Sequence, residues 1–240
     1  MRLAIMQPYF FPYLGHFSLI AACDEWIVFD ISQYTPKTWM NRNRVLNPAG
    51  GSKWVTVPLA NGSIRIRAHE AALLDPKAAQ RSVLGHLSHY RHAPHYAAVR
   101  ALVEDVFTDD PSLVRLNARA LDAVCSYIGL SFPHRICSEL DLSLPPELGP
   151  GDWAREICGA LGASAYVNPV GGRALFDPAS FARRGVALHF LQSETFTYAA
   201  GRFGFEPNLS ILDALMWNSP EAVLAAVQRY HLSPARADQA

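Results

Sequence analysis

The stretch MRLAIMQPYFFPYLGHFSLIAACDEWIVFD, residues 1–30, decides the fold class. Residues 3–6 form an apolar run that ends at Gln7-Pro8, and residues 26–29 form a second run that ends at Asp30. Short continuous apolar runs predict strands that are buried on both faces. Helix-forming residues with helical spacing occupy positions 15–23, between the two runs. This pattern predicts a strand–helix–strand unit in which the two strands are parallel.

The rest of the chain continues this alternation and adds a helical block in the middle. Apolar runs and their boundary residues predict further strands at 54–57, 64–67, 166–167 and 187–191, with 64–67 at a sheet edge. Helices are predicted at 77–92, 96–107, 111–128, 152–161, 209–217 and 220–230. We therefore expect an α/β fold with a parallel Rossmann-like sheet, helices on both faces and an inserted helical subdomain at about residues 75–140. Residues 1–232 form one domain in this prediction, and residues 233–240 form a flexible tail.

Composition excludes several classes of protein. The 240 residues include 21 Lys+Arg and 21 Asp+Glu, so the formal net charge is zero. A neutral chain has no long-range field that attracts nucleic acid, and no nucleic-acid partner is expected. Zero charge leaves a homodimer open. No signal peptide and no run of 18 apolar residues occurs, so the sequence predicts a cytoplasmic protein without a membrane span.

The four cysteines, Cys23, Cys125, Cys137 and Cys158, are scattered without a C-x-x-C pair. This spacing favours reduced thiols over a disulfide framework or a zinc site. Cys125 and Cys158 lie among apolar residues of predicted helices, which is typical of core positions. A catalytic cysteine is therefore disfavoured.

The loop after the first strand is the first candidate site. Ligands of an open parallel sheet bind beyond the carboxyl ends of its strands, and the helix that follows presents free backbone amides there. The side chains offered are Gln7, Tyr9, Tyr13 and His16. His16 is the candidate general base or carbonyl-polarising group, because its unperturbed pKa is near neutral. The aromatic residues of this loop form either a hydrophobic plug or a stacking wall for a base or a sugar.

Three further segments offer polar groups. Asn41, Arg42, Asn43 and Arg44 supply many donors close to Asp30 and Gln33, and the two arginines suit a phosphate or a carboxylate. A solvated loop tip is the alternative for these four residues. Asn168, Gly171 and Gly172 follow a strand, as a ligand-binding loop or as an ordinary turn.

The third segment begins the helix predicted at 209–217. Asn208 and Ser210 either bind a ligand or cap this helix. Asp213 lies among apolar residues and needs a partner if it is buried. The sequence predicts an arginine of residues 41–44 as that partner.

Five of the nine histidines lie between His69 and His95, the others being His86, His89 and His92. His86 and His89 are three residues apart on a predicted helix and share a face. A metal would need a third or fourth converging ligand, and no carboxylate occupies a supporting position. The cluster is therefore predicted to be a solvated helix face, with a cleft-lining role for one of its members as the alternative.

Residues 11–29, FPYLGHFSLIAACDEWIVF, resemble the first strand–helix–strand unit of the nucleotidylyltransferase superfamily. The signature of that superfamily is His-x-Gly-His, and its two histidines stabilise the phosphates of a nucleotide. Tyr13 replaces the first histidine here, and His16 matches the second. The resemblance implies the same type of fold and places Tyr13 and His16 at the reacting phosphates.

Four blocks in order resemble the WbqC-like family over nearly the whole chain: IMQPYFFPYLGHFSLI at 5–20, NRNRV at 41–45, YVNPVGGRALFD at 166–177 and PNLSILDALMWNS at 207–219. Members of that family are bacterial and are associated with surface polysaccharides and other sugar-decorated products. The resemblance implies a role in making or modifying an activated amino sugar.

The predicted function is transfer of an acyl or aminoacyl group to an amine, such as that of an amino sugar, in surface polysaccharide biosynthesis. His16 and Tyr13 are the catalytic candidates, and the other named residues bind substrate. The activated donor, a thioester or a nucleotide, is a substrate that is small or attached to a carrier protein, and no tightly bound cofactor or metal is expected. The alternatives are a nucleotidylyltransferase or adenylate-forming enzyme, and a non-catalytic module that binds a sugar nucleotide or a carrier protein.

Overall fold

A computed structural model describes residues 1–145 and 147–235. Its core is a six-stranded sheet, and a separate two-stranded sheet lies beside it. The strands are β1 Arg2–Met6, β2 Glu25–Val28, β3 Arg42–Leu46, β4 Ser52–Thr56, β5 His134–Ile136, β6 Ala165–Pro169, β7 Ala187–Ser193 and β8 Tyr230–Pro234. The α-helices are α1 Leu14–Ala22, α2 Pro76–Leu87, α3 Tyr96–Val106, α4 Leu113–Ile128, α5 Asp152–Ala160, α6 Pro178–Arg183, α7 Ile211–Trp217 and α8 Pro220–Val227.

The central sheet confirms the predicted α/β class. Its strand order is β5-β2-β1-β6-β7-β8, and every neighbouring pair is parallel except β7 with β8. The chain moves outward from β1 in one direction through β2 and β5, and later in the other direction through β6 and β7. The direction therefore reverses between β1 and β6, and open α/β sheets bind ligands at such a reversal.

Alternate residues of β1 serve the two faces of the sheet, which explains why its sequence is continuously apolar. Ala4 packs into the cluster that includes the residues of α1, α4, α7 and α8. Leu3 and Ile5 pack on the other face against Ile157 of α5 and Phe181 of α6. Helices therefore cover both faces, as predicted.

The helical block consists of α2, α3 and α4, and it is bounded as its capping residues require. Asp75 caps α2, whose first residue is Pro76. Ser112 caps α4, and Gly129 ends it with a φ of 75°, in the left-handed region that glycine tolerates. The predicted helix at 77–92 ends earlier, since α2 stops at Leu87 and a 3₁₀ turn follows over Ser88–Tyr90.

Three elements differ from the sequence prediction. The segment at 41–44 is largely strand, because Arg42–Leu46 pairs antiparallel with Ser52–Thr56 in a hairpin outside the central sheet. Residues 64–67 are not an edge strand, since Arg67 makes only an isolated bridge to Gln33. The insertion was predicted to reach residue 140, but His134–Ile136 joins the central sheet beside β2. Three residues without an apolar run carry no strand signal.

The C-terminal end adds a strand where a helix end and a tail were predicted. Helix α8 ends at Val227, and Tyr230–Pro234 pairs antiparallel with β7. Ser233 and Pro234, which the prediction assigned to the tail, belong to this strand. Its half-polar sequence and its proline are typical of an edge strand, which has one solvated side. The tail residues 236–240 lie outside the described residues.

Candidate functional site

A cleft of about 610 Å³ opens at the carboxyl ends of the central strands. The loop after β1, the first residues of α1, the residues that follow β6 and the end of β7 all line it. Small-molecule sites in proteins typically have volumes of about 300–1,000 Å³. The cleft therefore lies where the strand order predicts a ligand, and it has the size of a small-molecule site.

The N-terminus of α1 faces this cleft at close range. Tyr13 occupies the capping position but makes no side-chain capping hydrogen bond, and Tyr13, Leu14 and Gly15 all line the cleft. A Cβ atom at Gly15 would come 2.6 Å from Ser193 Oγ and 2.5 Å from the Tyr13 ring. Glycine is therefore needed where α1 meets the end of β7. The His16 amide donates to the Tyr13 carbonyl at 3.0 Å, so the first turn leaves the Leu14 and Gly15 amides for an anionic group.

Aromatic rings form much of the cleft wall. They belong to Tyr9, Tyr13, Trp39, Phe196, Tyr198 and Phe205. Burial raises the pKa of Tyr9 and of Tyr13 above the ordinary tyrosine value, so both hydroxyls stay protonated at neutral pH. Phe10 and Phe11 are fully buried in the core. The middle of the loop after β1 is therefore a hydrophobic plug, and its two tyrosines line the cleft. Stacking of these tyrosines on a base or a sugar stays a prediction.

The cleft carries one positively charged side chain, Arg44, and two negatively charged side chains, Glu194 and Glu206. Glu194 lies 3.6 Å from His231 Nε2. Within residues 1–145 and 147–235, no hydrogen bond or ion pair engages the half-buried carboxylate of Glu206. Arg44 makes one long hydrogen bond of 3.5 Å to the Asn208 carbonyl, and no described carboxylate pairs with it. Glu206 and Arg44 are therefore available to charged groups of a ligand.

A buried carboxylate supports one wall residue. Asp213 on α7 accepts hydrogen bonds of 2.5 Å from the hydroxyls of Tyr90 and Tyr198. Burial raises the pKa of Asp213, and these hydrogen bonds oppose that shift. The Tyr90 hydroxyl also accepts from the Leu46 amide at 2.9 Å. The predicted arginine partner of Asp213 is wrong: two tyrosine hydroxyls fill that place, and one of them fixes the ring of Tyr198 at the cleft.

Several predicted binding residues instead hold the loop after β1. The Asn43 side-chain amide donates to the carbonyls of Phe10 and Phe11 at 3.0 and 2.8 Å. Ser210 Oγ donates to the Phe11 carbonyl at 2.8 Å and also accepts from the Leu212 amide, as a helix cap. Phe11 has a φ of 38°, an uncommon conformation for a residue with a side chain. These hydrogen bonds fix the loop that builds the cleft wall.

His16 lies behind the cleft rather than in its wall. Its side chain is 2% exposed, packs 4.8 Å from the Trp26 ring and 5.5 Å from the Tyr9 ring, and does not belong to the cleft lining. Burial lowers the pKa of His16 to about 3, so the imidazole is neutral at physiological pH. Its Nε2 atom is buried without a hydrogen-bond partner among the described residues.

Three more predicted binding residues lie outside the cleft lining, namely Gln7 from the loop after β1 and Asp30 and Gln33 from the loop after β2. Asp30 is fully buried and accepts from the amide and the hydroxyl of Ser138 at 2.9 and 2.6 Å. The Gln7 amide donates to Ser32 Oγ, and that of Gln33 donates to the Ile64 carbonyl. The hydrogen bonds of these three side chains therefore hold the loop after β2 in place.

Two residues of the 41–44 segment also lie outside the cleft lining. The Asn41 amide donates to the Val57 carbonyl at 3.1 Å. The Arg42 guanidinium lies 4.0 Å from the centre of the Trp54 ring. The segment therefore contributes Asn43 and Arg44 to the cleft, while Asn41 and Arg42 lie beyond it.

The two glycines after β6 have different roles, because Gly171 lines the cleft and Gly172 does not. Gly171 lines the cleft, and a Cβ atom there would meet open space. A Cβ atom at Gly172 would come 2.2 Å from Asn168 Nδ2. Asn168 is itself bonded to the Tyr166 hydroxyl and the Pro169 carbonyl. Gly172 and Asn168 thus shape the turn, and Asn208 joins Gly171 in the cleft wall with a φ of 55°.

Sequence reasoning missed the end of β7 and the segment after it, which supply Ser193, Glu194, Phe196 and Tyr198 to the cleft, and it also missed Phe205 and Glu206. The signal was present, because QSETFTY at 192–198 directly follows a predicted strand. The rule that selected the loop after β1 applies equally to β7, since parallel strands share one carboxyl edge.

Within the described residues, no group of three or more His, Cys, Asp or Glu side chains is arranged to hold a metal ion. His86 and His89 do not line the cleft, and His89 instead stacks on Tyr90 with ring centres 4.1 Å apart. Burial and the nearby Lys53 charge lower the pKa of His89 to about 4. In the same part of the chain, no helix is both long and apolar enough to cross a membrane.

Comparisons with known proteins identify the family. The uncharacterized protein Rv1507c of Mycobacterium tuberculosis is 30% identical to this chain over 225 residues, which cover 92% of this chain and 95% of that protein. No solved structure matches the chain. The family model for the WbqC-like protein family matches residues 7–225, which include all the cleft-lining residues. Membership of that family suggests a role in polysaccharide or sugar biosynthesis. The chain belongs to the WbqC-like protein family.

Proposed function

We propose that the chain is a transferase that attaches an acyl or aminoacyl group to the amine of a sugar, or of a similar acceptor, in polysaccharide biosynthesis. The observation that carries the proposal is one aromatic cleft that holds two charged side chains, Arg44 and Glu206, neither of which forms an ion pair among the described residues. Arg44 is available to an anionic group, and Glu206 is available to an ammonium group. A substrate pair that combines an amine with a phosphate or a carboxylate satisfies both charges.

The aromatic wall supports the sugar part of the proposal. The C–H groups on one face of a pyranose ring carry partial positive charge, and aromatic faces carry partial negative charge. The Tyr9 and Tyr13 hydroxyls are protonated at neutral pH, so they can donate to sugar oxygens or to an acyl carbonyl. Tyr198 offers a ring that the bond from its hydroxyl to Asp213 holds in place.

Transfer from a thioester follows from these roles. The bound ammonium group first loses one proton to solvent, which gives a neutral amine. The amine nitrogen then attacks the acyl carbon, the carbon–nitrogen bond forms, and the carbon–sulfur bond breaks with its electron pair leaving on sulfur. The Glu206 carboxylate takes the proton that the amine loses and returns it to the departing thiolate. Tyr13, Leu14 and Gly15 line the cleft, and in this scheme the Leu14 and Gly15 amides and the Tyr13 hydroxyl stabilise the oxyanion of the tetrahedral intermediate. In this scheme His16 supports the Tyr9 ring and touches no substrate.

The test is a transfer assay with acetyl coenzyme A as the donor and UDP-glucosamine as the acceptor, followed by mass spectrometry of the acylated sugar. We expect Glu206→Gln to lower kcat/KM at least tenfold, because the carboxylate both binds the amine and takes its proton. We expect Arg44→Gln mainly to raise KM. Glu147→Gln is the matched control, since Glu147 is exposed and lies outside the cleft lining.

Two results would overturn the proposal. Ligand at 100 times its dissociation constant adds about 2.7 kcal/mol of stability. In the first, UDP-glucosamine raises the melting temperature by an amount that corresponds to this free energy, but neither an acyl nor an aminoacyl thioester yields an acylated product. That result identifies a non-catalytic binding module. Release of pyrophosphate from a nucleoside triphosphate and magnesium, abolished by Arg44→Gln, identifies nucleotidylyl transfer or adenylate formation. The buried position of His16 gives that second reaction no support.

A further inference from the structure

Beside the cleft, two exposed tryptophans and two arginines form one continuous surface. We call Trp39, Arg42, Arg44 and Trp54 the Trp–Arg face. Trp39 and Trp54 are 40% and 41% exposed, and their ring centres lie 5.2 Å apart. The Arg42 guanidinium lies 4.0 Å from the Trp54 ring centre, and that of Arg44 lies 5.8 Å from the Trp39 ring centre. Both distances permit cation–π attraction.

The β3–β4 hairpin explains why these side chains share a face. Arg42 and Arg44 are two residues apart on β3, so both point to the same side of the strand. Trp54 on β4 is the direct cross-strand partner of Arg44 and therefore points to that side too. The inward residues Asn43, Val45 and Val55 are buried. The hairpin thus anchors one face in the protein and holds two cations and a tryptophan on the other.

The charges of this face have no protein counterpart. Among the described residues no carboxylate forms an ion pair with Arg42 or Arg44, and the Nε atom of each is buried without an acceptor. Carboxylates do pair with many other arginines of the chain, namely Arg2, Arg100, Arg115, Arg119, Arg135, Arg155, Arg183 and Arg184. The Trp–Arg face therefore combines exposed aromatic surface with uncompensated positive charge, which is complementary to an anionic ligand that has an apolar side.

The face is continuous with the cleft. Trp39 and Arg44 belong to the cleft lining, whereas Arg42 and Trp54 do not. A ligand that leaves the cleft past Trp39 therefore meets Trp54 and Arg42 next. Stacking on an indole and a guanidinium bond to a carboxylate or phosphate together fit a sugar residue that bears an anionic group.

We propose that Trp54 and Arg42 form a second subsite that binds an anionic sugar unit, so that the ligand of this chain extends beyond the cleft. The inference rests on the proposed function for the saccharide class of the ligand. It names a substrate with a negatively charged unit next to the reacting sugar. The charge comes from a uronic acid carboxylate or from a phosphate, and the experiment separates these two sources.

The experiment measures direct binding to the full chain by calorimetry and by tryptophan fluorescence. The probes are a hyaluronan tetrasaccharide, which carries carboxylates, UDP-N-acetylglucosamine, which carries phosphates, and the neutral chitotetraose. We expect one anionic probe to bind at least tenfold more tightly than chitotetraose. Trp54→Ala and Arg42→Gln should each lower the affinity for that probe at least tenfold. Trp54→Phe, which keeps a ring, should retain most of it.

Matched controls are Leu74→Ala, which truncates an exposed apolar residue, and Arg81→Gln, which removes an exposed charge outside the cleft lining. Both should bind like the wild type. Equal affinity for anionic and neutral probes, or wild-type affinity in either Trp54→Ala or Arg42→Gln, overturns the subsite. So does tighter binding of a single-stranded oligonucleotide that Trp54→Ala abolishes, because the face would then be a nucleic-acid site.

The binding experiment is independent of the transfer assay. If acylated product forms but Trp54→Ala leaves all affinities unchanged, the subsite fails and the transferase proposal stands. If the anionic probe binds through Trp54 but no donor yields product, the transferase proposal fails and the subsite stands. Thermal unfolding of Trp54→Ala and Trp54→Phe separates a folding defect from a lost contact.

Discussion

His16 illustrates how burial changes the role of a single residue. The pKa of its imidazole is about 3 in the folded chain, because burial disfavours the charged form, and near 6.5 when histidine is exposed. Between these values the unfolded chain binds a proton that the folded chain rejects. The stability from this residue is therefore complete above pH 6.5 and is lost as pH falls toward 3. At pH 5 the loss is about 2 kcal/mol.

His16→Phe should remove this loss, because phenylalanine keeps the contact with Trp26 and has no site for a proton. Urea unfolding of both proteins at pH 7 and pH 5 measures it, and wild type should lose about 2 kcal/mol more than the variant. The difference between the two proteins is the informative quantity, since His89, with a pKa lowered to about 4, acts equally in both. His92→Gln, at an exposed position, is the control. The same pH dependence in wild type and His16→Phe would contradict a buried neutral imidazole.

At the scale of elements, the loop between β1 and α1 depends on donors from distant segments. Asn43 on β3 donates to the Phe10 and Phe11 carbonyls, and Asn117 on α4 donates to the Pro8 and Met40 carbonyls, each at 2.8 Å. Asn43→Ala leaves two carbonyls of buried residues without this donor. We expect a loss of about 1–3 kcal/mol in the free energy of unfolding, measured with urea.

The matched control for the loop is Asn47→Ala, which removes a bond of 3.2 Å to the Ala49 amide in the exposed β3–β4 turn. Its cost should stay near 0.5 kcal/mol, in the range of ordinary surface substitutions. A larger loss in Asn47→Ala than in Asn43→Ala would show that the hairpin, rather than the loop after β1, limits stability. Weaker binding of UDP-glucosamine by Asn43→Ala is expected as well, since the loop carries Tyr9 and Tyr13.

The same elements show how much could be predicted from sequence. The continuous apolar runs of β1 and β2 indicated strands that are buried on both faces, and the helix between them indicated that the two strands are parallel, as the structure shows. The strands β5 and β8 were not predicted, because β5 is only three residues long and β8 is half polar. Pairing with a neighbouring strand defines both of them, and a single sequence does not display that pairing.

The candidate site divides in a similar way. Tyr9, Tyr13 and Arg44 were predicted and line the cleft, since a strand end or a resemblance marked their segments. Asn43 lies in the lining too, but like Ser210 its side chain bonds the backbone of the loop. An amide that binds a sugar and an amide that binds a distant carbonyl have the same chemistry. The sequence therefore identified segments that reach the cleft, and it could not show which of their polar side chains face the cleft and which bind the backbone.

At the scale of the whole molecule, the four thiols report on global packing. Cys125, Cys137 and Cys158 are buried and Cys23 is half-buried, and all four are unpaired. Burial raises the pKa of Cys23, Cys137 and Cys158 to about 12, and it also raises that of Cys125. Since the thiolate is the reactive form, each thiol should react slowly in the folded chain. The expected result with Ellman's reagent at pH 8 is slow labelling of the folded protein and immediate labelling of all four thiols in concentrated guanidinium chloride.

This labelling pattern also tests the mechanism of the proposed transfer reaction. A cysteine that carries an acyl group between donor and acceptor must form a thiolate easily, and one thiol would then react within seconds. None of the four cysteines lines the cleft, so the amine should attack the donor directly and no acyl-enzyme should accumulate. Rapid labelling of one thiol that Cys23→Ser abolishes would contradict the packing around α1. If one thiol is labelled rapidly, the label blocks transfer and Cys23→Ser behaves in the same way, direct attack is wrong. The acyl group would then be carried covalently by a cysteine of the core.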